Sequence, residues 1–246
     1  KSEKRLWMTG GYPDGGIVKP SAFEEWQRNY LQLLAERDLP NWGLPARSSV
    51  TIRFMKMLAA LHGNLWNAAQ ISRSMGIDSK TVNTYLDFLE GAYLRRRLPP
   101  YFANIKKRLV KSPKVYWRDS GLLHALLNIK DRDQLQSQPW VGESWEEFGI
   151  EQIARELKAR GIACDLYHFR TSDQFEIDLI LDFGTELWAV EIKLTTNSKR
   201  DDYNRLNKIA DFIGANKRFL ISNASKATLN DKGGLCPLRD FVELLA

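Results

Sequence analysis

Four ionisable side chains on two neighbouring apolar runs are the part of this sequence best suited to chemistry. Glu176 and Asp178 lie in Phe175-Glu-Ile-Asp-Leu-Ile-Leu-Asp-Phe183, and Glu191 and Lys193 in Leu187-Trp-Ala-Val-Glu-Ile-Lys193. Extended chain alternates its side chains between faces, so Glu176 and Asp178 share one side of the first run and Glu191 and Lys193 one side of the second. The short connection around Gly184 predicts a hairpin, which would gather three carboxylates and one amine. Such a group is costly among Val, Ile, Leu and Trp unless a metal ion or a phosphate belongs there.

The elements that must position these residues follow from periodicity. Residues 145–158 read as a helix, 165–170, 175–183 and 187–194 as three strands, 199–214 as a helix and 218–222 as a strand, the order αβββαβ. On the first of these helices Glu146 falls in line with Ile150, Ile153 and Leu157, which aims its carboxylate toward the core; Glu143, Glu147 and Glu151 fall on a neighbouring face. An acid aligned with an apolar stripe needs a partner.

Upstream, three short helical stripes succeed one another: Ile52, Met55, Leu58 and Ala59; Ala68, Ile71 and Met75; Val82, Tyr85, Leu86 and Leu89. Gly76-Ile-Asp-Ser79 separates the last two, with Asp78 or Ser79 as an N-cap. This is a helix-turn-helix pattern. Two extended pieces at 93–98 and 115–117, with a basic and Pro-bounded stretch between them, complete the layout of a winged helix. The third helix would present Lys80, Thr81, Asn83 and Thr84 to phosphates or base edges. Between Arg95 and Arg118 there are nine basic residues and no acidic one; Arg95, Arg97, Lys106, Lys107 and Arg108 are the expected nucleic-acid contacts there. A small helical bundle that serves only for protein contact is the alternative.

The 246 residues, 43% of them hydrophobic, suffice for more than one core, and a formal net charge of +6 favours nucleic acid or another polyanion as partner. Cys164 and Cys236 have neither metal-ligand nor disulfide spacing, and His62, His124 and His168 are scattered and read as solvated or packed. With no apolar run near the length of a membrane span and no signal-peptide pattern, a cytoplasmic protein that does not meet the membrane is expected. In the opening Gly10-Gly-Tyr-Pro-Asp-Gly-Gly16, Gly11 and Gly16 have the spacing of a phosphate loop, but Ile17 stands where its Lys is required, so no nucleotide site is expected in this chain. The absence of an initiator Met before Lys1 reads as a piece of a longer protein.

The element order, Gly142-Glu-Ser-Trp-Glu146-Glu-Phe148, the strand acid Asp178 and Glu191-Ile-Lys193 together resemble the PD-(D/E)xK nuclease superfamily, which includes restriction endonucleases and Holliday-junction resolvases. Ile177 stands in place of the proline of that motif. Over nearly its full length the chain also resembles the C-terminal half of a group of bacterial and archaeal AAA+ type ATPases. Leu6-Trp-Met-Thr-Gly-Gly11, Glu36-Arg-Asp-Leu-Pro40, Arg108-Leu-Val-Lys-Ser-Pro-Lys-Val115, Arg118-Asp-Ser-Gly-Leu-Leu123 and Glu176-Ile-Asp178 carry that likeness.

The resemblance implies an α+β or α/β chain of three parts. Residues 1–45 would be a linker and packing helix after a missing ATPase module, 46–130 a winged helix, and 140–246 a restriction-endonuclease-like αβββαβ domain. It implies Mg²⁺ held by Asp178, Glu191 and Glu146, with Lys193 stabilising the charge on a phosphodiester under hydrolysis and Glu176 as an accessory ligand. The ATPase module of the parent chain and DNA are the implied partners, and the resolvase likeness implies a homo-oligomer. A catalytically silent module that holds DNA or protein for the ATPase is the alternative.

Overall fold

A computed structural model describes residues 3–14, 22–102, 109–173 and 175–245. Gly16 and Ile17 of the glycine-rich opening, and Lys106, Lys107 and Arg108, lie outside the described residues. The chain forms two compact units, one of Lys1–Arg97 with Val115–Phe148, the other of Leu98–Lys114 with Gly149–Ala246.

The first unit is mainly helical: α1 (Glu3–Thr9), α2 (Phe23–Leu33), α3 (Leu39–Asn41), α4 (Ser48–Ala60), α5 (Ala68–Met75), α6 (Ser79–Gly91), α7 (Ser120–Leu126) and α8 (Arg132–Gln136). A π-helical segment, Leu34–Asp38, carries α2 into α3. The short strands β1 (Arg95–Leu98) and β2 (Lys114–Trp117) pair as a two-stranded sheet. Helical spacing decides what is buried: Met55, Leu58, Ala59, Ile71, Val82, Leu86 and Leu89 are all within the core, with Leu31, Leu34, Leu39 and Leu44 from the opening segment. Asn67 caps α5 by accepting from Gln70 N–H, and α5 ends at Gly76 in the left-handed conformation (φ 69°). Asp78 caps α6, its carboxylate accepting from the Thr81 backbone N–H at 2.9 Å.

The second unit is built on a mixed sheet, among the described residues six strands in the order β3-β4-β5-β6-β8-β7. These are β3 (Asp165–Arg170), β4 (Glu176–Asp182), β5 (Leu187–Ile192), β6 (Lys217–Ile221), β7 (Thr228–Asn230) and β8 (Gly233–Cys236). Strands β3, β4 and β5 form an antiparallel meander. The step from β5 to β6 is parallel and so requires a crossover, which α10 (Arg200–Ile213) supplies. Leu206, Ile209, Ala210 and Ile213 of α10 pack with Ile177, Ile180, Ala189 and Leu220 of the sheet. The long helix α9 (Val141–Ala159) runs from the first unit into the second. In its second half a Cβ on Gly149 would lie 3.1 Å from Ile192 Cδ1, so a larger residue there would require the Ile192 side chain to give way. The elements from α9 to β6 follow the order αβββαβ; β7, β8 and α11 (Leu238–Leu244) extend it beyond what the periodicity revealed. No helix among the described residues is long and apolar enough to cross a membrane.

Candidate functional site

The expected hairpin forms, and its register builds the site. Leu179 pairs with Val190 and Ile180 with Ala189, so carrying the antiparallel ladder one residue further sets Asp178 opposite Glu191, with both side chains on one face. At that point the ladder is completed by a side chain: Ile192 N–H donates to Asp178 Oδ2 at 2.8 Å. Asp178 is only 6% exposed, and this charge-assisted bond both orients its carboxylate and offsets part of the cost of burying it. Glu191 Oε1 lies 2.6 Å from Lys193 Nζ, and the two side chains are 13% and 40% exposed. Lys193 is held in place by its own N–H, which donates to Ile221 O at 2.8 Å on β6. The three groups therefore grade from a sealed acid, through a half-buried acid, to an amine that reaches solvent.

Glu176 does not join them as a third acid. Its carboxylate pairs with Lys114 Nζ at 2.6 Å and with Arg170 Nη1 at 3.2 Å. Burial alone would raise its pKa, but Lys114 and Arg170 outweigh burial and hold the carboxyl below its usual range. The sequence could not reveal this, because Lys114 lies 62 positions away and is itself buried.

On α9 the expected orientation of the acids is corrected. Glu146 is half-buried and accepts a hydrogen bond from Tyr116 Oη at 2.5 Å, while the sealed acids are Glu147 and Glu151, 1% and 2% exposed. Glu147 faces His62, whose Nε2 lies 3.5 Å from Oε2, and the buried guanidinium of Arg95. Ile150, Ile153 and Leu157 are buried as the spacing suggests, but the buried arc of the helix is wider and also takes in Ser144, Glu147 and Glu151. Among the described residues no three His, Cys, Asp or Glu side chains form a group able to hold a metal. The available carboxylate set is thus Asp178 with Glu191. Two hard carboxylates at opposed register positions, one of them oriented by a backbone amide, fit Mg²⁺, which takes one or two carboxylates and keeps water in its remaining positions.

The expected nucleic-acid contacts divide sharply. On α6, Lys80 and Asn83 are exposed. Thr81 Oγ1 donates to Asp78 Oδ2 at 2.6 Å, Thr84 Oγ1 donates to Lys80 O at 3.1 Å, and Asn83 Oδ1 accepts from Trp66 Nε1 at 2.8 Å. Those bonds fix the helix surface and leave the Lys80 ammonium and the Asn83 amide group directed to solvent. Arg95, expected on a basic wing, is instead 1% exposed, stacked 4.9 Å from the Trp117 ring centroid and donating to Val115 O at 3.1 Å. Burial pushes its pKa down to about 9 against the charge of Glu147, which holds it up. Arg97 is neutralised by Asp87 at 2.5 Å and Glu90 at 2.8 Å. Arg95 is thus out of reach of a phosphate, whereas Arg97 remains partly exposed.

The histidines are packed. His124 is 1% exposed, with Nδ1 3.0 Å from Met8 O and Nε2 2.8 Å from Ser144 Oγ. Since a carbonyl only accepts, Nδ1 carries the proton and Nε2 accepts from the serine, whose oxygen also receives Trp7 Nε1–H at 3.0 Å. Both cysteines are free thiols that burial pushes up to about 12, which removes them as nucleophiles at neutral pH.

The fold is thus a mixed α+β chain in which a mainly helical unit accompanies a mixed six-stranded sheet. The chain belongs to the family described as "Domain of unknown function (DUF8612)", which matches residues 1–133, and residues 141–241 match "Domain of unknown function (DUF4143)". It is 39% identical over 193 residues to "Uncharacterized protein Rv2008c" of Mycobacterium tuberculosis and to "Uncharacterized protein Mb2031c" of Mycobacterium bovis. Each alignment covers 78% of this chain and 43% of the relative, so the chain spans less than half the length of these curated relatives. No solved structure matches.

Proposed function

We propose that this chain is the C-terminal region of an AAA+ type ATPase, made of a winged helix that contacts DNA and a PD-(D/E)xK nuclease-like domain that hydrolyses phosphodiester bonds. The observation that carries the reading is the juxtaposition on β4 and β5: a sealed Asp178 opposite Glu191, with Lys193 two residues on and 2.6 Å from that glutamate. Asp178 and Glu191 would hold Mg²⁺, and a bound ion would polarise the phosphoryl oxygen and lower the pKa of an attacking water. Lys193 keeps a positive charge beside Glu191 at the solvent edge, where it would stabilise the negative charge that develops on the phosphate. Ile192 N–H fixes the direction of the Asp178 carboxylate before any ligand arrives. Lys80 and Asn83 on α6 supply a phosphate and base contact, and the relatives' greater length accommodates an ATPase module in the parent chain.

A second reading, a catalytically silent module that holds DNA or protein for the ATPase, is favoured by one observation. No third acid joins Asp178 and Glu191 among the described residues, and the Glu191 charge is already met by Lys193. Calorimetric titration of Mg²⁺ and Mn²⁺, with plasmid nicking on the same samples, separates the two. Binding and nicking that both vanish in Asp178→Asn/Glu191→Ala support the nuclease; wild-type protein that binds DNA but neither metal supports the silent module.

A further inference from the structure

A cavity of about 460 Å³ lies within the first unit, walled by α2, α4 and the segment that follows α7. Three cations line it, Arg28, Lys56 and Lys130, against one acid, Glu24. All three are exposed, and among the described residues none of their side chains makes an ion pair. Other cations of the unit are engaged by acids, Arg37 by Asp38 and Arg97 by Asp87 and Glu90. Three cations against one acid give the cavity a positively charged lining, which favours an anion in the space.

The remaining walls narrow the class of anion. Leu31, Ile52, Leu126 and Ile129 supply an apolar floor, which a bare inorganic anion would not use. Gln27 in the lining is 1% exposed, and its Nε2 is engaged, donating to Thr9 O at 2.7 Å. Asn128 takes the left-handed turn that ends α7 (φ 58°), with Ile129 N–H donating to His124 O at 2.9 Å, and this turn delivers Ile129 and Lys130 to the wall. The volume falls in the range of small-ligand sites rather than of grooves that take a duplex.

We propose that this cavity is a binding site for a soluble phosphorylated small molecule, its phosphate met by Arg28, Lys56 and Lys130 and its organic part lying on the apolar floor. The site is separate from the strand residues discussed above and does not depend on their activity. The test is calorimetry on the whole chain with adenosine monophosphate, ribose 5-phosphate, glycerol 3-phosphate and inorganic phosphate, with uncharged adenosine as control. At least one of the organic phosphates should bind with Kd below about 1 mM and more tightly than inorganic phosphate, and adenosine should not bind in that range. Arg28→Gln/Lys56→Gln should weaken the binding by roughly tenfold or more, as expected for loss of charge-assisted contacts. Lys226→Gln/Lys232→Gln, exposed lysines of the other unit, should leave it unchanged. Failure of every phosphate to bind, an equal loss in both double variants, or binding only to vesicles that contain phosphatidic acid would each overturn the assignment.

Discussion

Both units bury charge, and they do so in opposite ways. In the first unit Arg95 is sealed beneath Trp117 with Glu147 nearby, both 1% exposed, and among the described residues its Nε and Nη1 find no hydrogen-bond partner. In the second, Asp178, Glu191 and Lys193 lead stepwise from the interior to solvent, and the innermost group is held by a backbone amide. Charges sealed in this way are out of reach of a ligand while the chain is folded. A graded series can exchange its internal partners for a ligand. Exposure along the series, rather than the number of charges, is what separates a candidate site from buried scaffolding.

The largest effect should come from breaking the sealed pair. Arg95→Met removes a buried positive charge whose field reaches Glu147, leaving that acid with His62 at 3.5 Å, and loss of a compensating charge from a buried acid costs up to about 3–5 kcal/mol. Urea denaturation of Arg95→Met should show a loss of that order, and Arg95→Met/Glu147→Met should recover most of it. A single variant as stable as wild type would mean that the two charges are not coupled.

Acid should act on both units together. His124 and His168, one in each unit, are held down to about 4 from an ordinary value of 6.5, His124 by burial and His168 by burial with help from Lys114. A base with a depressed folded pKa contributes full stability above its unfolded pKa, and that contribution is lost as pH falls from about 6.5 toward 4. Unfolding free energy should therefore drop by a few kcal/mol between pH 7 and pH 4.5, and His168→Asn should flatten the slope by about one proton. A flat profile across that window would show that both rings take up protons as readily in the folded chain as in the unfolded one.

Glu176→Gln sharpens the comparison inside the second unit. It removes the carboxylate 2.6 Å from the ammonium of Lys114, 5% exposed, and should cost about 2 kcal/mol of stability while leaving Mg²⁺ affinity as in wild type. A fall in metal affinity would restore Glu176 to the site as an accessory ligand.

What the sequence disclosed follows from how local each signal is. The helices α4 to α6, the Asp78 cap and the β4–β5 hairpin rest on spacing within a dozen residues, and the hairpin alone sets Asp178 beside Glu191. Residues whose fate depends on a distant partner were not legible: Arg95 meets Trp117, Lys114 meets Glu176, and Glu147 meets His62. A run of nine cations reads as a basic surface, yet strand geometry turns Arg95 inward, and acids on α6 that look like ordinary solvated charges neutralise Arg97. Strands β7 and β8 are three and four residues long, with Gly233 and Gly234 in β8, so they carry too little alternation to be seen.

The smallest effect is also the one that tests the DNA reading against the buried arginine. Lys80 sits in the first turn of α6, exposed, so Lys80→Ala should leave stability within a few tenths of a kcal/mol. If α6 meets the DNA backbone, that substitution removes about one phosphate contact, and the slope of log K against log salt should fall by about 0.9. Arg95→Met should show the reverse, a large loss of stability and an unchanged slope, because a guanidinium sealed against Trp117 cannot release a counter-ion on binding. Measuring both slopes at a temperature where Arg95→Met remains folded keeps the two effects apart. A slope that responds to Arg95 and not to Lys80 would place the DNA-facing surface on the β1–β2 strands and sever the link between α6 and nucleic acid.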